Sequence, residues 1–115
     1  MQSNKFYYSA IIVSVYDGDT VRADIDLGLS TWVKNQKIRL ARINAPEIRG
    51  AERETGLAAR DFLRQQILGK AVILQTIRDR KGKYGRYLGE IWLPWEDRWI
   101  NINDLLVARG FARYV

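Results

Sequence analysis

A chain of 115 residues suffices for one domain with one core, and its formal net charge of +6 points to an anionic partner, nucleic acid first. There is no cysteine and no histidine, which excludes disulfides, thiol nucleophiles, Ser-His triads and the usual zinc sites. Acid–base or metal chemistry must therefore rest on Asp, Glu, Asn and backbone oxygens, a donor set suited to calcium or magnesium.

Phe6–Tyr16 alternates Ile11, Val13 and Val15 with Ile12, Ser14 and Tyr16, the period of a strand. Lys5 and this apolar run resemble a short signal core. They lead straight into Asp17-Gly18-Asp19 without a small-residue cleavage site, so the chain as written reads as cytoplasmic, secreted only if a leader is missing from it. No apolar run approaches the roughly 20 residues needed to span a bilayer, and no membrane partner is expected. Asp-Gly is expected to supply the positive φ values of a tight hairpin turn. Thr20–Leu27 then returns as a second strand, with Val21, Ala23, Ile25 and Leu27 on one face, and Asp19 shares the parity of that row.

Gly28–Gln36 reads as a loop and Lys37–Ile43 as the third strand. That strand opens the stretch Ile38–Gly50, which stops at Asn44-Ala45-Pro46 because Pro46 has no N–H and excludes Ala45 from the helical region. Arg39 in the strand and Glu47 just past the stop suit phosphate chemistry; the plainer alternative is a surface charge and a solvated turn residue. A long helix is predicted over Thr55–Leu68, with Ala58, Ala59, Phe62, Leu63, Gln66 and Ile67 forming its apolar stripe and Gly69 ending it. Ala71–Ile77 is a fourth strand, Arg78–Arg86 a charged loop, and Tyr87–Trp92 a fifth strand ended by Pro94. Trp99–Ile102 is a short extension, and Asn103–Arg109 a short helix capped by Asn103 and stopped by Gly110. This order implies one α+β domain, residues 1–115, with an antiparallel five-stranded sheet. Closing it into a small oligonucleotide/oligosaccharide-binding (OB) barrel would remove two exposed edges.

Three segments then align: Asp17-Gly18-Asp19-Thr20, Arg39 through Glu47, and Lys83-Tyr84-Gly85-Arg86-Tyr87. In that order and spacing the chain resembles the micrococcal (staphylococcal) nuclease, or thermonuclease-like, family from about Val13 to Ala112. The resemblance implies an OB-type barrel with one long and one short helix, and a calcium-dependent endonuclease acting on single-stranded DNA or RNA, with magnesium as an alternative metal. Carried over by position, Asp19, Asn44 and Ala45 are implied at the metal. Glu47 would activate water, while Arg39 and Arg86 would hold the scissile phosphate. Among the substrate-binding residues so implied, Thr20 is similar to one that lines the metal site, and Lys83 and Tyr84 to ones that hold a neighbouring phosphate; Tyr114 and Trp95 are further candidates to touch bases.

The division of labour suits the chemistry. An arginine fork grips two phosphate oxygens at once, and glutamate is the natural base in a chain without histidine. Each role has a plainer alternative: Asp19 can serve only the turn, Arg86 can be a solvated charge, and Tyr84 can be core. Asn44 stands where the family usually has a second metal-binding aspartate, and Ala45 where threonine is frequent. Metal affinity is expected to suffer accordingly. The chain also stops before the family's third helix, so a minimal version or self-association is expected. A non-catalytic nucleic-acid-binding barrel of the same family remains the alternative function.

Overall fold

The computed structural model describes residues 6–77, 81–82 and 84–115. The strands are β1 (Phe6–Asp17), β2 (Thr20–Gly28), β3 (Thr31–Leu40), β4 (Ile43–Asn44), β5 (Ala71–Thr76), β6 (Tyr87–Trp95), β7 (Arg98–Asn101) and β8 (Arg113–Tyr114). The helices are α1 (Arg53–Ile67), after a 3₁₀ turn at Gly50–Glu52, and α2 (Ile102–Ala108). The main sheet runs β3-β2-β1-β5-β6-β7, and a further pairing of β3 with β6 links the first five strands of that order into a ring, with β7 outside it. Five strands thus ring a core of Ile12, Val21, Ile38, Leu40, Leu63, Leu74 and Ile91, the expected OB-like α+β architecture. The closing pair is parallel, Ile38–Leu40 against Tyr87–Gly89, whereas an all-antiparallel sheet was expected.

Local chemistry accounts for the departures from the sequence reading. The expected alternation along β1 fails because Ile12 pairs with Ala23 and Ser14 with Arg22, so one residue bulges out and the buried face passes from Ala10 and Ile12 to Val15 and Asp17. The stretch expected as a loop over 28–36 is mostly strand. β2 and β3 are joined at Leu29-Ser30, both at positive φ, a turn made without the usual glycine pair. The third strand breaks early, at Arg42, whose φ of 68° redirects the chain before β4 pairs with β8. Pro94 does not end β6; it lies beyond Trp92, the last residue paired with β5, and faces only β7.

Helix α1 buries Gly56, Ala59, Leu63 and Ile67, while Ala58 is exposed. Helix α2 is capped by Asn101, whose side chain accepts from the Asp104 N–H at 2.9 Å, and not by Asn103. Asn103 is fully buried instead. It accepts from the Ile91 N–H and donates to the carbonyls of Ala41 and Gly89, tying α2 to β6 and to the β3–β4 corner. Among the described residues no helix is long and apolar enough to cross a membrane.

Candidate active site

The β1–β2 turn sits where expected, but for a different reason. Gly18 does not have a positive φ. A Cβ there would lie 2.7 Å from the Ala45 Cβ and 2.9 Å from the Ala59 Cβ, so the glycine permits close approach of the turn to α1 and to the segment after β4. The turn is drawn tight by Asp17, whose Oδ1 accepts from the Asp19 N–H at 3.0 Å.

Asp19 is buried at the meeting point of three segments. Its Oδ1 accepts from the Thr20 hydroxyl at 3.1 Å, and its Oδ2 accepts from the Ala45 N–H at 2.9 Å. Arg39 Nη2 stands 3.4 Å from that same Oδ2. The Arg39 tip is itself held: Nη1 donates to the Leu40 and Ile43 carbonyls at 2.7 and 2.9 Å, and Nη2 donates to Asn44 Oδ1 at 3.0 Å. A phosphate reaching Arg39 would therefore compete with Asn44 and Asp19 for Nη2.

Glu47 is exposed on the turn after Pro46, and its N–H donates to Glu52 Oε1 at 3.3 Å. Arg86 arrives from the segment preceding β6, with its guanidinium carbon 5.1 Å from the centre of the Tyr84 ring. Lys83 lies outside the described residues. Asp19, Thr20, Arg39, Asn44, Glu47, Tyr84 and Arg86 all line one cleft of about 780 Å³. Ala45 instead lines a smaller recess of about 290 Å³ behind the Pro46 turn, although its N–H holds Asp19. Tyr114 and Trp95 line neither. The Tyr114 hydroxyl donates to Asp104, and Arg42 covers its ring.

Four further cations line the cleft that motif reasoning passed over: Arg22, Lys37, Arg60 and Arg64. The signal for Arg60 and Arg64 was present in their i, i+4 spacing beside the buried Ala59 and Leu63 stripe. Asp17 lines the cleft as well. Burial, a carboxyl hydrogen bond to Asp19 and the nearby charges of Asp19 and Glu47 push its carboxyl up to about 6. Two neighbouring buried carboxylates with excess negative charge are a donor chemistry that fits a hard divalent cation. Asp17 can thus supply the charge that Asn44 lacks. Among the described residues, however, no three His, Cys, Asp or Glu side chains converge as a ready-made metal cluster.

Comparison with known proteins follows the same lines. The family model "Staphylococcal nuclease homologue" matches residues 37–115. An uncharacterized protein of Methanocaldococcus jannaschii is 30% identical over 98% of this chain and 61% of its own length. Thermonucleases of Staphylococcus hyicus and Staphylococcus intermedius are 30% and 31% identical, over 89% and 91% of this chain. The chain spans only 56% and 58% of those two relatives.

Proposed function

The chain belongs to the staphylococcal nuclease family, and from that premise we propose that its cleft hydrolyses phosphodiester bonds of DNA or RNA in a metal-dependent endonuclease reaction. The observation that carries this reading is that the buried Asp17–Asp19 turn and Glu47 open onto the same cleft as Arg39 and Arg86. Glu47 takes a proton from water as the water oxygen attacks phosphorus. The phosphorus–oxygen bond to the leaving group breaks, and the departing oxygen takes up a proton from solvent. Arg39 and Arg86 neutralise the charge that builds on the remaining phosphate oxygens, where a two-pronged guanidinium acts better than an ammonium. Asp19, with the Asn44 side-chain oxygen and the Ala45 backbone oxygen, would hold calcium or magnesium, and Asp17 would add the second negative charge. Such a cation, when bound, supplies Lewis-acid stabilisation of the phosphate and eases ionisation of water. Thr20 and Tyr84 line the bound strand, as would Lys83.

A second reading, a barrel that binds nucleic acid without cutting it, is favoured by one observation: the Arg39 tip is already engaged by Leu40, Ile43, Asn44 and Asp19. Assays on single-stranded DNA and RNA with calcium, magnesium or chelator separate the two. Cation-dependent cleavage by the wild type that collapses in Glu47→Gln supports the enzyme. Tight binding with no cleavage under any metal condition would establish the binder.

A further inference from the structure

The cleft floor carries a second row of cations that the reaction at Arg39, Glu47 and Arg86 leaves unused. Outward-facing residues of β2 and β3 pair as Thr20 with Arg39 and, one step along, Arg22 with Lys37. Like charges directly opposite on neighbouring strands are destabilising, so an Arg–Lys pair on a half-buried floor calls for an anion between them. Arg22 spends one donor on the Asn35 carbonyl at 3.1 Å, and the Lys37 ammonium makes no hydrogen bond or ion pair among the described residues. Both line the cleft. Two residues along a strand amount to about 6.6–6.8 Å, comparable with the step between neighbouring phosphates of an extended nucleic acid strand.

The same cleft is also lined by Arg60 and Arg64 of α1, one turn apart, which share the exposed carboxylate of Asp61 at 3.1 and 3.9 Å. The row does not continue past Arg22. The next outward residue of β2 is Asp24, bound to Lys34 and to the Asn35 N–H. The track therefore has room for one additional phosphate and then turns acidic.

We propose that Arg22 and Lys37, with Arg60 and Arg64 lining the same cleft, form a subsite for a phosphate next to the scissile one, other than the neighbour that the resemblance gives to Lys83 and Tyr84. The protein then grips a polynucleotide at two consecutive phosphates and discriminates against single nucleotides. This deepens the reading of the cleft as a phosphodiester site and rests on it. The subsite is a binding device and takes no part in the bond-breaking step.

The test is fluorescence anisotropy of a labelled ten-residue oligothymidylate, in chelator, across a salt series, with thymidine 5′-phosphate as competitor. The Arg22→Gln/Lys37→Gln double variant should lower oligonucleotide affinity about tenfold, and by at least five times more than it lowers mononucleotide affinity. Its log affinity against log salt should become shallower by about 0.7, one phosphate contact on a single strand. Arg60→Gln/Arg64→Gln, on α1, should shift the same ratio in the same direction. Arg98→Gln, an exposed charge on β7 outside the cleft, is the control and should keep the wild-type slope. Equal losses for both ligands, or an unchanged slope in both double variants, would overturn the subsite. A wild type that shows the split in binding but never cleaves supports the subsite and overturns the nuclease reading. A wild type that cleaves without the split does the reverse.

Discussion

Gly56 is the residue through which the fold sets the position of Glu47. It lies within α1, and a Cβ built on it would fall 2.0 Å from the Glu47 carbonyl oxygen, 2.5 Å from its carbonyl carbon and 2.9 Å from the Ile48 nitrogen. All three are backbone atoms, so no side chain can swing aside. Ordinary contact begins near 3.4 Å, and Gly56→Ala must therefore part the helix from the Glu47 turn by roughly 1.4 Å.

Two energies oppose each other in that variant. Alanine favours the helix by about 1 kcal/mol over glycine, while overpacking at a tight contact costs about 1–3 kcal/mol. The net effect on stability is a loss of about 0–2 kcal/mol, enough to keep the chain folded under ordinary conditions. Catalysis suffers more, because a shift of about 1 Å in a reacting group costs on the order of 100-fold. Single-turnover cleavage with calcium should show kcat down by about that factor, with KM changed far less, since the binding arginines stand on other segments. Circular dichroism and thermal melting would verify that the variant is folded. A folded Gly56→Ala with wild-type kcat would refute the claim that this contact positions the base proposed at Glu47.

Other substitutions probe the remaining parts of the site. Arg39→Lys and Arg86→Lys should each cost roughly 100-fold in cleavage despite retaining charge, and near-normal rates in both would reduce them to point charges. Asp17 has a higher proton affinity folded than unfolded, so its stabilisation is complete below its ordinary 3.8 and is lost as pH rises through about 6. The metal-free protein should accordingly melt higher at pH 5 than at pH 7, with the difference shrinking in Asp17→Asn or on adding calcium; a difference unaffected by either would dismiss the paired-carboxylate account. Burial pushes Glu90 up, but its bonds to Arg42 and Asn101 outweigh that and hold it below its ordinary value, while Arg42 holds Asp104 low. That stability is present above about pH 4.5 and lost on acidification, so Arg42→Ala, which removes a half-exposed guanidinium from the buried Glu90, should cost about 1–2 kcal/mol at neutral pH and progressively less toward pH 3, as read from paired melting curves. Asn44→Asp should tighten calcium binding about tenfold, near 1.4 kcal/mol by calorimetry; equal affinities would assign Asn44 to Arg39 rather than to the cation.

Much of this arrangement was legible from residue types and spacing, and the exceptions share a cause. The strands and the long helix follow from periodic patterning and turn chemistry, and the gathering of Asp19, Thr20, Arg39, Asn44, Glu47, Tyr84 and Arg86 at one cleft was implied by the family resemblance that three motifs carry. What stayed hidden depends on contacts between distant segments. Gly18 looked like a turn glycine, yet its φ is ordinary, and its purpose appears only once Ala45 and Ala59 are brought against it. Asn103 looked like a helix cap, but it fills a buried slot between β6 and the β3–β4 corner, leaving capping to Asn101 two residues earlier. The bulge after Ile12 reversed the inward parity of β1, which no alternation pattern reveals in advance. Arg22 and Lys37 seemed unrelated because their opposition across two strands is a matter of register.

The same contacts show which parts of the molecule serve architecture and site together. The β1–β2 turn is seated by Gly18 on α1, the Glu47 turn by Gly56 on α1, and the β3–β4 corner by Asn103 and by Arg42, whose guanidinium meets Glu90 at 2.6 and 2.7 Å. None of these devices lines the cleft, and apart from the half-exposed Arg42 each is close-packed or buried. Substitutions there must move stability and site geometry at once, because one contact sets both. Arg86, Arg22 and Lys37 differ in kind. They are half-buried in the lining of the cleft with few bonds to the protein, so their loss should spare the melting temperature while altering how the cleft handles phosphate. A side chain whose removal changes phosphate handling without changing stability belongs to the working surface; one that changes both belongs to the frame that holds it.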